Sequence, residues 1–468
     1  MKNIILIIVA VIVSIDVTGQ TFSSELYQSA LDGNVSAQFE LAVCYHYGYG
    51  VQQDRSKALY WAEKAANQGF PAAQYNVGWY YEYGEGVASN PFTAFRWYKK
   101  AAESGDPSAE FALARCYYNG IGVAQNIEES IKWTKKAAVD GDADAQVSLG
   151  YDYLFGQSVT QDNFLAVYWF RKAAEQENPE GIYLLGECYE NGIGVDADLS
   201  IALSNYRKAA ELGNPSAQLA MAKDAIQKDN YSSAVEWLRK AVEQEYSEAE
   251  IILGMCYENG WGLTSSFNEA KRLYESAAKH GAPRGYVQIG RMYSDEESPN
   301  YNLPIAYSWY IKAANQDDAT AQGVVAWMLL SGQGVKEDIQ TGLKWLNLAC
   351  ENGDLWALTV GGMLYYDGIE GVPRDYQKAF KYLLRAFEDE ELEEPAKSKV
   401  VEYLANCYQK GYGTKPDYAK AKELRAMIGV SDTTRPSSPK KGSAKSSSTK
   451  AKSKKTLPSW ETKMKKGS

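Results

Sequence analysis

The chain has 468 residues, 35 of them tyrosines, and a formal net charge of −10. That length could hold two or three ordinary domains, although an array of repeats need not divide in that way. Histidine occurs only at His46 and His280, in segments far apart, so the sequence gives no basis for assembling a metal cluster or a catalytic triad from them.

The first residues have the pattern of an export signal. One positive charge at Lys2 precedes the apolar run Ile4 to Val13, and small residues precede Gln20. Because this run is short for a membrane span, we interpret residues 1–19 as a secretory signal peptide. We therefore expect an exported chain, periplasmic or secreted, with no transmembrane segment in its mature form. An uncleaved membrane anchor is the alternative.

A repeated unit follows this segment. Residues 20–36 have the pattern of a single helix that caps the start of the array. From Ala37 a 36-residue unit recurs, and its first copies, 37–72, 73–108 and 109–144, align without a gap. A period of this length is typical of stacked helix pairs.

Each unit is predicted to form two helices with explicit start and stop signals. The first helix ends at a turn glycine, as at Gly84, and the second begins after a residue that suits an N-cap. The predicted N-caps are Asp54, Asn90, Asn126, Asp162, Asp198, Ser266, Asn302 and Asp338. One helix pair cannot bury its apolar face alone, so neighbouring units must stack.

The array is regular in its first half and irregular later. Regular units extend over 37–216, and a short degenerate unit follows at 217–248, where Lys228-Asp229-Asn230 replaces the glycine turn. Further units occupy 249–430 and include an acidic insertion at 388–394. The predicted fold is all-α: a right-handed superhelical α-solenoid of about ten to eleven helix-turn-helix repeats with a concave surface.

The second unit carries a family resemblance. Its motifs are Ala73-Gln74-Tyr75-Asn76-Val77-Gly78, Tyr81, Gly84-Glu85-Gly86-Val87, Ala94, Trp97-Tyr98 and Lys100-Ala101-Ala102. They resemble the Sel-one-like repeat, a relative of the tetratricopeptide repeat, over about residues 37–425. The resemblance implies a protein-binding adaptor of a bacterial envelope or of the endoplasmic reticulum.

Six cysteines in an exported chain would ordinarily suggest disulfides. Five of them share one first-helix register: Cys44, Cys116, Cys188, Cys256 and Cys407. Sites two units apart are separated by about 20 Å when helices pack about 8–10 Å apart, whereas a disulfide requires α carbons within about 7 Å. We therefore expect buried free thiols.

No catalytic residue, metal site or cofactor is predicted. The Gly-x-Gly-Val turns follow helices and lack the Lys-Ser or Lys-Thr of a nucleotide site, which makes them helix caps. We interpret His46 and His280 as surface side chains, and the recurring second-helix tryptophans as core. The carboxylates that could form an acid–base pair are assigned instead to solvated helix faces: Glu40, Glu82, Glu187, Glu190 and Glu258.

A binding surface is expected at positions that the repeat leaves free. Seven residues into each unit, on the first helix, the residue type varies from copy to copy. Trp, Tyr and Arg at this register are candidates because these types are enriched at interaction hot spots. The candidate protein-binding residues are Trp79, Arg115, Tyr151, Arg291 and Trp327. The alternative is that they pack between units or decorate the surface.

The tail differs from the array in charge. Residues 431–468 hold eleven Lys or Arg against Asp432 and Glu461, which leaves about −19 on residues 1–430. We expect a disordered tail. It could solubilise the chain, contact an anionic envelope polymer or nucleic acid, or contact the acidic array. Specific nucleic-acid binding is not expected, because aromatic residues other than Trp460 are missing from it.

The sequence therefore favours a non-enzymatic scaffold of the cell envelope that holds an unidentified protein or peptide partner in its concave groove. One alternative is an envelope enzyme acting on cell-wall material. Another is an endoplasmic-reticulum adaptor in protein quality control.

Overall fold

The computed structural model describes residues 21–368 and 371–429; the predicted signal peptide and the tail from Ser431 lie outside them. Within these residues the chain forms 23 α-helices and no β-strand. The helices are α1 Ser24–Leu31, α2 Val35–Tyr47, α3 Arg55–Asn67, α4 Pro71–Tyr83, α5 Pro91–Glu103, α6 Pro107–Asn119, α7 Ile127–Asp140, α8 Ala143–Phe155, α9 Asn163–Glu175, α10 Pro179–Asn191, α11 Leu199–Glu211, α12 Pro215–Gln227, α13 Tyr231–Val242, α14 Ser247–Asn259, α15 Phe267–Lys279, α16 Arg284–Ser294, α17 Leu303–Ala314, α18 Ala319–Ser331, α19 Ile339–Glu351, α20 Leu355–Asp367, α21 Tyr376–Glu388, α22 Ala396–Lys410 and α23 Tyr418–Met427.

The chain divides into two compact units, Met1–Gln244 and Glu245–Ser468. Unit 1 contains α1–α13 and unit 2 contains α14–α23. Within each unit the two helices of a repeat pack on each other, as α4 does on α5, and each second helix packs on the next first helix, as α5 does on α6. This stacking of consecutive helix pairs confirms the predicted α-solenoid.

The helix boundaries follow from local hydrogen bonding. The Asp54 side chain accepts a bond from the Lys57 N–H at 3.0 Å, which satisfies one of the unpaired N–H groups at the start of α3. Gly84 ends α4 with φ 73°, a left-handed conformation that glycine adopts without a Cβ clash. Both signals are confirmed.

The recurring Ala-Gln motif links consecutive repeats. Gln38 Nε2 donates to the Ala30 carbonyl at 3.0 Å, and Gln74 Nε2 donates to the Ala66 carbonyl at 3.2 Å. In each case a buried amide on a first helix bonds to the end of the preceding helix. A buried amide without such a partner would be costly, so this bond specifies how each repeat meets the previous one.

The recurring tryptophans pack against the core, as predicted, but most of them lie at its edge and a neighbouring ring fills its centre. Trp61 is buried, but Trp97 is only partly buried, and the residue after it, Tyr98, is 1% exposed. The equivalent buried rings are Phe170, Tyr206, Tyr274 and Tyr310.

Glycine on the first helix makes room for each of these rings. A Cβ on Gly78 would lie 2.6 Å from Tyr98 Cδ1, closer than packed atoms approach. Gly150, Gly186, Gly254 and Gly290 face the other rings in the same way. By register, Ala114 is paired instead with Thr134. The small residues therefore match the volume of the side chain opposite.

The second glycine of the turn makes a contact between repeats. Gly122 has φ 67°, and a Cβ placed there would lie 2.1 Å from the Pro91 carbonyl oxygen in the preceding repeat. Gly86 approaches the Arg55 backbone in the same way, at 2.6 Å. The turn thus needs one glycine to end a helix and another to let two backbones meet.

Two segments depart from the regular repeat. After α12, Asp229 adopts φ 55° where other repeats have a turn glycine, and α13 begins at Tyr231. The acidic insertion lies between the end of α21 at Glu388 and the start of α22 at Ala396.

Candidate interaction surface

The five candidate residues lie on first helices. Trp79, Arg115 and Tyr151 occupy successive repeats of unit 1, whereas Arg291 and Trp327 occupy successive repeats of unit 2. They form rows along each unit, and their own side chains already have neighbours within the fold.

Arg115 joins two repeats. Its Nη2 atom lies 2.9 Å from Glu82 Oε1 and 3.1 Å from Glu82 Oε2, and the Tyr98 hydroxyl donates to Glu82 Oε2 at 2.6 Å. The Glu82 side chain is only 10% exposed, so the carboxylate is held by one guanidinium and one phenol. Charge-assisted bonds of this kind are among the stronger polar contacts.

The same arrangement recurs in unit 2. Arg291 Nη2 lies 2.7 and 2.8 Å from the two Glu258 oxygens, and the Tyr274 hydroxyl donates to Glu258 Oε2 at 2.9 Å. The assignment of Glu82 and Glu258 to solvated helix faces is therefore wrong. Both carboxylates connect a first helix, the second helix of its repeat and the next first helix.

The aromatic candidates are also engaged. Trp79 is partly buried, with ring centroids 5.6 Å from His46 and 5.3 Å from Tyr83. The Tyr151 hydroxyl donates to Glu180 Oε1 at 3.1 Å. Trp327, likewise partly buried, packs against the core of its repeat. Each of these side chains contributes to packing and offers only part of its surface to a partner.

A more exposed set lies at the carboxyl ends of the first helices in unit 1. We call it the aromatic row: Tyr47, Tyr83 and Phe155, which share one register, and Tyr118, which lies one residue before that register; their exposed fractions are 39%, 41%, 61% and 54%. Exposed aromatic side chains on consecutive repeats provide apolar contact area with little conformational freedom to lose.

The sequence contained a signal for two residues of this row. Tyr83 and Phe155 lie four residues after the candidates Trp79 and Tyr151, a spacing that places side chains on the same helix face. Phe155 stacks on Tyr151 with ring centroids 6.0 Å apart and planes at 11°. The five candidates lie on first helices, and the sequence did not indicate that the residues of the aromatic row are more exposed than the aromatic candidates.

The two helix layers of unit 1 differ in charge. The second helices are richer in basic side chains than in acidic ones, through segments such as those at Lys100, Lys136, Lys172 and Lys208. The first helices α2, α4, α6, α8, α10 and α12 carry the acidic residues Glu40, Glu82, Glu110, Asp144, Asp152, Glu180, Glu187, Glu190 and Asp224 against the basic Arg115 and Lys223. The first-helix layer is therefore the anionic one.

The negative charge is concentrated on α10, in an acidic patch formed by Glu180, Glu187 and Glu190. Burial raises the pKa of Glu187, and the neighbouring charges of Glu180 and Glu190 add to the rise. Glu187 accepts a bond from the Tyr183 hydroxyl at 2.7 Å, and Glu190 from Tyr206 at 2.5 Å. Within the described part of the chain, the three carboxylates are held by neutral donors.

Neither histidine is a simple surface residue. His46 Nδ1 lies 2.6 Å from the Tyr80 hydroxyl, and burial, followed by the charge of Arg55, lowers the pKa of His46 to about 4. His280 is more exposed, but its Nδ1 lies 2.9 Å from Glu250, whose side chain is 3% exposed. The interpretation of His46 as a surface side chain is wrong, because its repeat packs it against the next one.

The cysteines are free and buried, as predicted. Burial raises the pKa of Cys188 to about 11, so its thiol stays protonated at neutral pH. Among residues 21–368 and 371–429, no group of three His, Cys, Asp or Glu side chains is arranged to hold a metal ion.

The repeat itself identifies the family. The Sel1 repeat matches eleven segments: 35–70, 71–106, 107–142, 143–178, 179–214, 216–246, 247–281, 283–318, 319–354, 360–389 and 402–424. The chain belongs to the Sel1 repeat family. Sel1 repeat proteins are generally interaction scaffolds or regulators, and folds of this kind are generally non-catalytic.

Parts of this chain are similar to named proteins. An exopolysaccharide production negative regulator of Rhizobium meliloti is 29% identical over 159 residues, which are 31% of this chain and 59% of that protein. Chitin synthase regulatory factor 3 of Schizosaccharomyces pombe is 28% identical over 172 residues, 34% of this chain and 18% of that protein. The chain thus spans less than two thirds of these relatives.

A solved structure resembles most of the chain. A protective antigen of uropathogenic Escherichia coli that displays an SLR fold is 28% identical, with a TM-score of 0.56 over 90% of this chain and 91% of that one. In the portion of the Sel1 repeat protein that the structure describes, no helix is both long and apolar enough to cross a membrane.

Proposed function

We propose that this Sel1 repeat protein is a non-enzymatic scaffold of the cell envelope that holds an extended protein or peptide segment against the first helices of unit 1. The observation that carries the proposal is the aromatic row, which exposes large rings on successive repeats without a role in the core. The related regulators of exopolysaccharide production and chitin synthase are named for processes of the cell surface.

The aromatic row is favoured over the original candidates for a physical reason. Arg115 and Arg291 are held in bonds between repeats, so a partner would have to break those bonds to use them. Phe155 can bury exposed ring surface at no such cost, and Tyr83 offers an exposed ring face although its hydroxyl contacts Arg115. Trp79 and Tyr151 lie beneath them and position them through ring contacts.

The test compares matched pairs of aromatic substitutions. Tyr83→Ala with Phe155→Ala truncates rings on first helices, whereas Phe164→Ala with Tyr168→Ala truncates rings of α9 that are 77% and 48% exposed. Intact protein is crosslinked in its own compartment, and the crosslinked proteins are identified and quantified by mass spectrometry.

We expect the first pair to lose a specific partner and the second pair to retain it, with both unfolding at the wild-type temperature. Equal capture by the two pairs would refute the assignment of the surface.

The proposed export has its own test: the mass of the protein recovered from the envelope fraction should correspond to cleavage near Gly19. An intact amino terminus in the cytosol would refute it.

A further inference from the structure

Three repeats contain the same pair of a carboxylate and a phenol. In each, a glutamate near the end of the first helix accepts a hydrogen bond from a tyrosine 16 residues later, on the second helix. The pairs are Glu82 with Tyr98, Glu190 with Tyr206 and Glu258 with Tyr274, at 2.6, 2.5 and 2.9 Å. The phenol fixes the carboxylate and leaves further lone pairs on its oxygens for a second donor.

In two of these repeats the second donor is an arginine of the next first helix. Arg115 Nη2 contacts both oxygens of Glu82, 33 residues before it. Arg291 Nη2 contacts both oxygens of Glu258 at the same spacing. Both carboxylates are largely covered, since the Glu82 and Glu258 side chains are only 10% and 22% exposed. The chain thus shows twice that this pair holds a guanidinium.

The repeat of α10 and α11 has the pair without the arginine. The residue 33 positions after Glu190 is Lys223, which is exposed and, among the described residues, forms no ion pair with it. Glu190 is itself exposed, unlike Glu82 and Glu258. Lysine carries a compact ammonium in place of a planar fork, so it does not reproduce the arginine contact. Glu190 and Tyr206 therefore form a guanidinium subsite for which the chain supplies no arginine.

The surroundings of the guanidinium subsite favour a cation. In the part of the chain that the structure describes, Glu180, Glu187 and Glu190 accept hydrogen bonds from neutral donors and form no ion pair. Tyr151 donates to Glu180, and its ring stacks on Phe155 of the aromatic row. The acidic patch therefore adjoins the exposed rings, and a segment that covers Phe155 can place a basic side chain at the subsite.

We propose that Glu190 and Tyr206 bind the guanidinium of an arginine in the partner segment, with Glu187 adding negative charge beside it. The partner is then a basic peptide whose arginine enters this repeat while its other residues cover the aromatic row. The contact reproduces between two molecules the bond that Arg115 makes within one. This inference rests on the proposed function and specifies the chemistry of the segment that is held there.

The binding test uses the full chain and dye-labelled glycine–serine peptides that carry three arginines, three lysines or three glutamines. We expect the arginine peptide to bind more tightly than the lysine peptide, because a guanidinium donates two parallel bonds to one carboxylate. The glutamine peptide should not bind. Equal affinities for the arginine and lysine peptides would overturn the proposal, because charge alone would then account for the binding.

Two substitutions remove the guanidinium subsite in different ways. Glu190→Gln removes the charge, and we expect about tenfold weaker binding of the arginine peptide. Lys223→Arg supplies an internal guanidinium, as in the other two repeats, and should weaken binding similarly while every carboxylate remains. The control is Glu211→Gln, which removes an exposed charge from the end of α11 and should leave the affinity unchanged. Equal losses for Glu190→Gln and Glu211→Gln would overturn the proposal.

The Lys223→Ala variant tests whether the lysine closes the subsite in solution. The wild type and this variant should bind the arginine peptide with affinities that differ by no more than about threefold. Binding by the variant alone would overturn the proposal.

The inference and the proposed function fail separately. If the crosslinked partner is lost with Tyr83→Ala and Phe155→Ala but retained by Lys223→Arg, the inference fails and the proposed function stands. If the arginine peptide requires Glu190 while the crosslinked partner is retained without the two rings, the guanidinium subsite stands and the proposed role of the aromatic row fails.

Discussion

Asp142→Asn should stabilise the protein at neutral pH. Asp142 is the N-cap of α8, where its Oδ1 accepts from the Ala145 N–H at 2.8 Å and its Oδ2 from the Ser108 hydroxyl at 3.1 Å. Burial, opposed by that N–H bond and reinforced by the charge of Asp144, raises the pKa of Asp142 from 3.8 to about 6. Asparagine keeps the cap, as Asn178 does at the same register of α10, and carries no charge to desolvate.

The magnitude follows from the pKa. Each pKa unit corresponds to about 1.4 kcal/mol, so ionising Asp142 in the folded state costs roughly 3 kcal/mol at neutral pH. Because the folded-state pKa is raised, the protonated cap gives its full stability below pH 3.8, and that stability is lost as pH rises to about 6. The variant should match the wild type near pH 3.5, gain through pH 4–6 and keep a constant advantage above pH 6.

The assay is urea unfolding followed by circular dichroism at several pH values. The control is Asp54→Asn, because Asp54 caps α3 in solvent and a backbone N–H bond lowers its pKa. The negative charge of Asp54 is favourable in the folded state, so Asp54→Asn should not stabilise the protein against urea. A wild type as stable as Asp142→Asn at pH 7.5, or an equal gain in the control, would refute the reasoning.

Two further predictions concern packing and protonation. Gly105→Ala and Gly122→Ala both force alanine to positive φ, but only Gly122 faces a backbone, the Pro91 carbonyl. The first should lose about 1 kcal/mol and the second about 2 kcal/mol more in urea unfolding; equal losses would contradict the contact between repeats. His46, with its pKa lowered to about 4, should lose its stabilising contribution as pH falls from 6.5 to 4, because only the neutral ring fits. The His46→Gln variant should show little change in unfolding free energy between pH 6.5 and pH 4. An NMR titration of the wild-type protein in which the His46 ring titrates near pH 6.5 would contradict the prediction.

Local signals in the sequence were reliable. The N-cap at Asp54 and the helix stop at Gly84 depend on hydrogen bonds and φ values within a few residues, so a short stretch of sequence contains what is needed to predict them. Recurrence of these signals at a constant spacing then predicted the solenoid.

Signals that depend on two distant segments were not reliable. Trp97 and Tyr98 are adjacent aromatic residues, and only the position of Gly78 on the facing helix determines which ring is buried. Glu82 and Arg115 are 33 residues apart. The composition of α4 alone therefore led to the wrong prediction that the Glu82 carboxylate is solvated.

The sequence by itself determined the repeat, the helix boundaries and the register at which a partner surface was expected, because each depends on contacts within one helix or turn. Only the tertiary structure decided that Arg115 and Arg291 join repeats and that the rings from Tyr47 to Phe155 remain exposed. The physical reason is that exposure and pairing depend on which side chains neighbouring repeats bring into contact, and a register position shared by many copies does not specify those neighbours.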